Sequence, residues 1–244
     1  MTNQAAQENY LAKPCGDCCI TGHLHDGEPR GAHETIDGID TYVVHPPAGK
    51  ANGNIVLYHP DVFALFTNGQ LVMDCFASAG YLTLDPGFDF YAWIKKHQEF
   101  ADEAVPRWVD AVKTKYGKTG TKYASVGYCF GAPYVCDQLV EGGIASVGAF
   151  AHPAFLTDSH FAKLKRPLFL SCADTDVTFG AESRRKAVDI LIADKKQYHL
   201  QVFTGVEHGF ALRSKQDDPY EKWVREQSLR GIVEWFDYWL ARDS

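Results

Sequence analysis

From Thr41 onward the chain alternates short, β-rich apolar runs with helical stretches, and this alternation narrows the available folds more than any single residue does. Asn54–His59, Tyr81–Leu84, Lys122–Val126, Ser146–Ala151, Pro167–Cys172 and His199–Phe203 are the candidate strands. Most show little polar alternation, which is the signature of strands covered on both faces. Strands of that kind separated by helices imply an α/β fold, a mostly parallel central sheet with helices on both faces. The spacing predicts helices over Asn68–Ala79, Glu99–Tyr116, Gly131–Glu141, Ala181–Ala193 and about Pro219 to Arg242, with Pro106 a start or kink in the second. In the last, Ile232, Trp235, Phe236, Trp239 and Leu240 recur at the three-four spacing of one buried face, so this aromatic stripe reads as core packing.

The 244 residues, 45% of them apolar, are enough for one substantial core, so a single globular domain is expected over 41–244. Residues 1–40, rich in Gly, His, Cys and Asp without periodicity, read as an extended N-terminal arm laid over the sheet. The net charge is −7 and there is no Lys/Arg run of the kind that tracks a phosphate backbone, so nucleic acid is not an expected partner. The first thirty residues hold no apolar stretch of signal-peptide type, and no segment is apolar for the roughly 18 residues of a membrane span, so no membrane partner is expected and a cytoplasmic location is. Seven scattered cysteines suit reduced thiols better than a disulfide framework.

The strongest local signal is Gly127-Tyr128-Cys129-Phe130-Gly131, which follows the apolar run Tyr123–Val126 and precedes the helical run Val135–Val140. A G-x-C-x-G between strand and helix is a nucleophile elbow: the turn is sharp, and its flanking positions must lack bulk. The same placement puts Cys129 at a helix N-terminus, where the dipole favours a thiolate, and makes the Phe130 N–H an oxyanion donor. A buried structural cysteine is the bland alternative, but it would need neither glycine.

Such a cysteine needs a base and a group to orient it, and hydrolases of this architecture supply them in the order nucleophile, acid, histidine. After Pro167–Cys172 comes Ala173-Asp174-Thr175-Asp176, and after His199–Phe203 comes Gly205-Val206-Glu207-His208-Gly209-Phe210. Position alone leaves Asp174 and Asp176 open. His208 is the histidine that sits in a loop after a late strand with glycines on both sides, whereas His97, His160 and His199 read as surface or packing residues. His59 and His152 fall near strand ends, where pocket and packing roles are both open.

These residues resemble the dienelactone hydrolase family, above all its fungal branch, over nearly the whole chain. The likeness rests on Gly127–Gly131, on Asp174-Thr175-Asp176, on Glu207–Phe210, and on Cys18-Cys19, Gly22–Gly27, Gly38–Val43 and Pro46. It implies an α/β-hydrolase fold, Cys129, Asp176 and His208 as catalytic triad, and no cofactor or metal. From Pro60-Asp61-Val62-Phe63 it further implies that the Val62 N–H is a second oxyanion donor and that Asp61 tunes the protonation of Cys129. Family members that act on carboxylated dienelactones hold the carboxylate with arginines, one a few residues past the histidine. Here Leu212 takes that place and Arg213 follows, and Phe88–His97 offers Trp93, Lys95, Lys96 and His97 instead of a second arginine. The expected substrate is therefore a small lactone or activated ester, apolar or aromatic in character, bound among His59, Phe63, Trp93, Tyr128, His152, Phe179, Phe210 and Arg213 by a monomer or homodimer.

Three rival readings are weaker. A ligand-binding protein without catalysis would retain the fold but would not require the triad. A zinc site from Cys15, Cys18, Cys19, His23 and His25 is too compact for the usual paired-knuckle spacing. Thioredoxin-like chemistry from the same C-x-x-C lacks its strand–helix setting.

Overall fold

The architecture was obtained as a computed structural model that describes residues 10–13, 25–63, 65–86 and 96–242. The strands are β1 (Tyr10–Ala12), β2 (Ala32–Ile36), β3 (Ile39–Val44), β4 (Ile55–His59), β5 (Leu82–Pro86), β6 (Tyr123–Tyr128), β7 (Ala145–Ala151), β8 (Leu156–Thr157), β9 (Leu168–Ala173) and β10 (Tyr198–Phe203). The helices are α1 (Thr67–Ser78), α2 (Lys96–Tyr116), α3 (Ala132–Gln138), α4 (Asp158–Ala162), α5 (Ala181–Ala193), α6 (Phe210–Arg213) and α7 (Pro219–Leu240), with a single 3-10 turn at Cys129–Gly131 ahead of α3.

Eight strands join one sheet in the order β10-β9-β7-β6-β4-β5-β3-β2. The run from β10 to β5 is parallel, while β3 pairs antiparallel with β5, and β2 with β3. Alternate residues of each inner strand serve opposite faces. Val56 and Tyr58 of β4 pack with Met73 and Phe76 of α1 and with Ile232 and Phe236 of α7, whereas Ile55 and Leu57 pack with Trp108 of α2. The α7 stripe is therefore core, and each fully buried side chain of this kind is worth about 1.5–3 kcal/mol. Asp218 fixes the start of α7 by accepting hydrogen bonds from the Tyr220 and Glu221 N–H groups, with Pro219 in the first turn, where its missing donor costs nothing.

The structure departs from the expected elements in several places, the short β1, β8, α4 and α6 among them. Helix α2 spans Lys96–Tyr116 with Pro106 inside it, so Pro106 is not its start. The helix expected at Gly131–Glu141 begins with the 3-10 turn and ends at Gln138. Strands β2 and β3 were not anticipated: β2 is a largely exposed edge strand without apolar alternation, joined to β3 through Asp37-Gly38, both at positive φ (51° and 77°). The boundary drawn at residue 40 therefore falls inside a hairpin that belongs to the sheet. Of the arm, β1 pairs antiparallel with β8; Cys15, Cys18, Cys19 and His23 lie outside the described residues, as do Trp93 and Lys95.

The parallel strands end at one edge of the sheet, which gathers the segments that follow them. Asp61 follows β4, Cys129 follows β6, His152 follows β7, Asp176 follows β9 and His208 follows β10.

Candidate active site

The turn after β6 carries Cys129 at φ +50°, in the left-handed region that costs a non-glycine residue about 1–3 kcal/mol and is kept only where its surroundings impose it. Packing explains the glycines on either side. A Cβ on Gly127 would lie 2.5 Å from the Gly131 carbonyl oxygen, and one on Gly131 would lie 2.2 Å from the carbonyl oxygen of His59 on the neighbouring strand. Both obstacles are backbone, which cannot step aside, so the elbow closes only around glycines.

Cys129 is fully buried, and its Sγ lies 3.1 Å from His208 Nε2. The other ring nitrogen, Nδ1, sits 3.1 Å from both carboxylate oxygens of Asp176. Asp176 also accepts hydrogen bonds from the Thr178 N–H (2.8 Å), the Phe179 N–H (3.1 Å) and the Thr178 hydroxyl (2.7 Å). Burial by itself pushes the Asp176 carboxyl upward, but the hydrogen bond and charge of His208, together with the Thr178 donors, outweigh it and hold the pKa below the usual carboxylate value. Asp174 is drawn off elsewhere, half-exposed, with Arg184 Nη2 at 3.7 Å. The structure thus brings Asp176 rather than Asp174 to the histidine.

Thr178 was not singled out from the sequence. Its Oγ1 lies 2.9 Å from His208 Nδ1 and 2.9 Å from the Pro153 carbonyl oxygen, so one hydroxyl ties the acid, the histidine and the loop after β7 together. A threonine two residues past a loop aspartate is the signal that was available, because its hydroxyl and N–H both reach back to such a carboxylate.

The β4–β6 register pairs His59 with Gly127, so Val62 leaves the sheet beside Cys129 and Phe130, and all three share one buried cluster. Asp61 is fully buried and forms an ion pair with Arg213 Nη1 while accepting from the Phe63 N–H at 2.9 Å. The Arg213 guanidinium lies over the Phe63 ring, 5.1 Å from its centroid. Gly209, at φ +93°, leaves room for it, since a Cβ there would meet Arg213 Nη2 at 2.4 Å.

The remaining expected pocket residues divide. Phe210, Arg213 and His208 line a cavity of about 420 Å3. His152 packs edge-on against His208, ring centroids 5.0 Å apart, and against Phe210. His59 and Phe179 do not line the site. His59 is a core residue between Trp108 and Tyr134, its pKa lowered to about 3 by burial, and Phe179 is stacked on Phe161. Tyr128 is buried with its ring on Tyr58. His160 caps α4, its Nδ1 accepting from the Thr157 N–H, and His199 stacks on Phe169, as packing residues would. Among the described residues no group of three or more His, Cys, Asp or Glu is placed to hold a metal, and His25 meets Ser214 and Arg225 instead. No described helix is long and apolar enough to cross a membrane.

A cysteine on a strained strand-to-helix turn, facing a histidine and an aspartate borne by later loops of a mostly parallel sheet, is the architecture of an α/β-hydrolase. The chain belongs to the dienelactone hydrolase family, whose sequence model matches residues 39–240, and is a hydrolase of that family. It is 43% identical to "Dienlactone hydrolase 1" of Gibberella moniliformis across 96% of this chain and 97% of that protein. It is 39% identical to "Dienlactone hydrolase 2" of the same fungus across 96% and 99%. In fold it is similar to the crystal structure of a putative dienelactone hydrolase from Klebsiella pneumoniae, with TM-score 0.69 and 13% identity over 85% of this chain and 98% of that one.

Proposed function

We propose that this chain hydrolyses carboxylic esters and lactones with Cys129 as nucleophile, His208 as general base and acid, and Asp176 as the group that orients the imidazole. The observation that carries the reading is the unbroken line from Cys129 Sγ through His208 to Asp176, each step 3.1 Å. His208 Nε2 takes the thiol proton as Sγ adds to the carbonyl carbon, and the carbonyl electron pair moves onto oxygen, held by the N–H groups of Phe130 and Val62. Collapse expels the alkoxide, which receives the proton from His208 and leaves a thioester on Cys129. His208 then takes a proton from water, hydroxide adds to the thioester, and the thiolate leaves and is reprotonated. Asp176 keeps the proton on Nδ1 so that Nε2 faces the sulfur, and it balances the imidazolium that forms in each half. Each oxyanion donor supplies about 3–4 kcal/mol of transition-state stabilisation.

The chemistry favours activated esters and enol-lactones. An amine is a poorer leaving group than the thiolate, so an amide adduct would collapse back to substrate. Arg213, the first arginine past His208, is already paired with buried Asp61. That pairing supports lactones without a free carboxylate, and it makes the Asp61–Arg213 pair, rather than Asp61 alone, the source of the field at Cys129. The test is a time course of p-nitrophenyl acetate and dienelactone hydrolysis by the wild type and by Cys129→Ala. Turnover lost in a variant that keeps its fold is expected, and undiminished turnover rules the scheme out.

A further inference from the structure

A second cavity, of about 490 Å3, opens between α1, α7 and residues 25–30, away from the one at His208. Leu71, Val72, Tyr128 and Leu229 give it an apolar wall. Arg225 lines it half-buried, with Nη1 2.9 Å from His25 Nε2 and 3.3 Å from Ser214 Oγ, and no carboxylate pairs with it among the described residues. The other charges of the lining are spoken for or lie in water. Asp74 is buried and already takes the backbone N–H of Arg30 and the hydroxyl of Tyr42, while Asp26, Glu28 and Glu226 are exposed and solvent-screened.

The wall is hydrogen-bonded to the loop that follows the catalytic histidine. The His25 ring meets the Ser214 carbonyl oxygen at 3.0 Å, the His25 N–H donates to Asn68 Oδ1 at 2.8 Å, and Asn68 Nδ2 donates to the Leu212 carbonyl at 2.7 Å. Leu212 and Ser214 flank Arg213, which holds Asp61. Whatever moves His25 or Arg225 therefore pulls on the segment that ends the His208 loop.

We propose that this cavity is a second binding site, for a small amphipathic carboxylate whose charge meets Arg225 and whose body lies on the apolar wall, and that its occupation lowers turnover through the 208–214 loop. A guanidinium and a carboxylate match as a two-pronged pair, and among the described residues the lining offers one cation, Arg225, that no carboxylate pairs, above an apolar surface. The regulatory half rests on the ester and lactone reading, because hydrolysis of such substrates releases molecules of this class. The site would then sense product.

The experiment is calorimetric titration of the full-length wild type with benzoate, alongside steady-state hydrolysis of p-nitrophenyl acetate at several benzoate concentrations. Saturable binding is expected, with inhibition that lowers kcat and leaves KM unchanged. Arg225→Gln should weaken binding at least tenfold and abolish the inhibition, each read against that variant's own uninhibited kcat and KM. Cys75→Trp puts an indole into the cavity from its lining and leaves the Arg225 side chain itself in place, and it should weaken binding and relieve the inhibition in the same way. Absence of saturable binding, purely competitive inhibition, or unchanged affinity in both variants overturns the proposal. Arg225-dependent binding in a chain that hydrolyses no ester supports the site while refuting the hydrolase reading.

Discussion

Thr178→Val keeps the shape of the side chain and removes only the hydroxyl, so it isolates what that group does at the junction of acid, base and loop. The hydroxyl is buried and lies within 2.9 Å of three partners: Asp176 Oδ1, the Pro153 carbonyl oxygen and His208 Nδ1. Its single proton serves one acceptor at a time, and the variant leaves the Pro153 carbonyl buried without this donor, a loss of about 1–3 kcal/mol in stability. Asp176 keeps the Thr178 and Phe179 N–H groups but loses its shortest donor. If about half of that energy is expressed as looser placement of His208, kcat falls about two- to tenfold, since about 1.4 kcal/mol is a factor of ten in rate. Urea unfolding and p-nitrophenyl acetate kinetics would measure the two effects, and Thr178→Ser should recover most of both. Stability within 0.5 kcal/mol of wild type (~0.5, the usual range for inconsequential substitutions) and unchanged kcat in the valine variant would refute the reasoning.

Two further predictions concern buried charge. Arg213→Met leaves Asp61 ionised in the interior and should cost about 3–5 kcal/mol in urea unfolding, whereas Asp61→Asn combined with Arg213→Met should recover most of the loss; equal stability of the single and double variants would contradict the pairing. Asp85 is fully buried at the end of β5 with no hydrogen-bond partner for either oxygen among the described residues, and burial, followed by the charges of Asp61 and Asp40, raises its pKa well above the ordinary carboxylate value. A raised folded-state pKa means that its contribution to stability is complete below the unfolded-state pKa and is lost as pH rises through the folded-state value. Asp85→Asn should therefore flatten that loss and gain stability relative to wild type at pH 8 but not at pH 4, and parallel stability–pH curves for the two proteins would count against it.

The sequence made the site more legible than the pocket around it, for physical reasons. Gly127, Cys129 and Gly131 are constrained locally: the turn needs a left-handed residue, and its neighbours meet backbone at 2.5 and 2.2 Å, so the requirement shows in adjacent residues. The inner parallel strands β4, β6, β7 and β9 were legible because both of their faces are buried. The edge hairpin was not, since β2 is mostly exposed and Asp37-Gly38 between Ile36 and Ile39 was the only mark it left. Nearness to a strand end does not say which way a side chain faces, and β4 directs His59 between Trp108 and Tyr134 while Phe179 stacks on Phe161. The tie from Thr178 to Pro153 and the Asp61–Arg213 pair depend on contacts between segments 25 to 152 positions apart, which no local pattern encodes.

The central claim is that an acyl group passes through Cys129. The most direct measurement is rapid-quench mass spectrometry of the intact protein and its peptides during turnover of p-nitrophenyl acetate, with His208→Ala included to slow deacylation. An acetyl adduct mapped to Cys129, cleaved by hydroxylamine and absent from Cys129→Ala, is the predicted result. Steady turnover with no adduct on Cys129, or an adduct on another residue that forms and decays at the rate of turnover, would contradict the account.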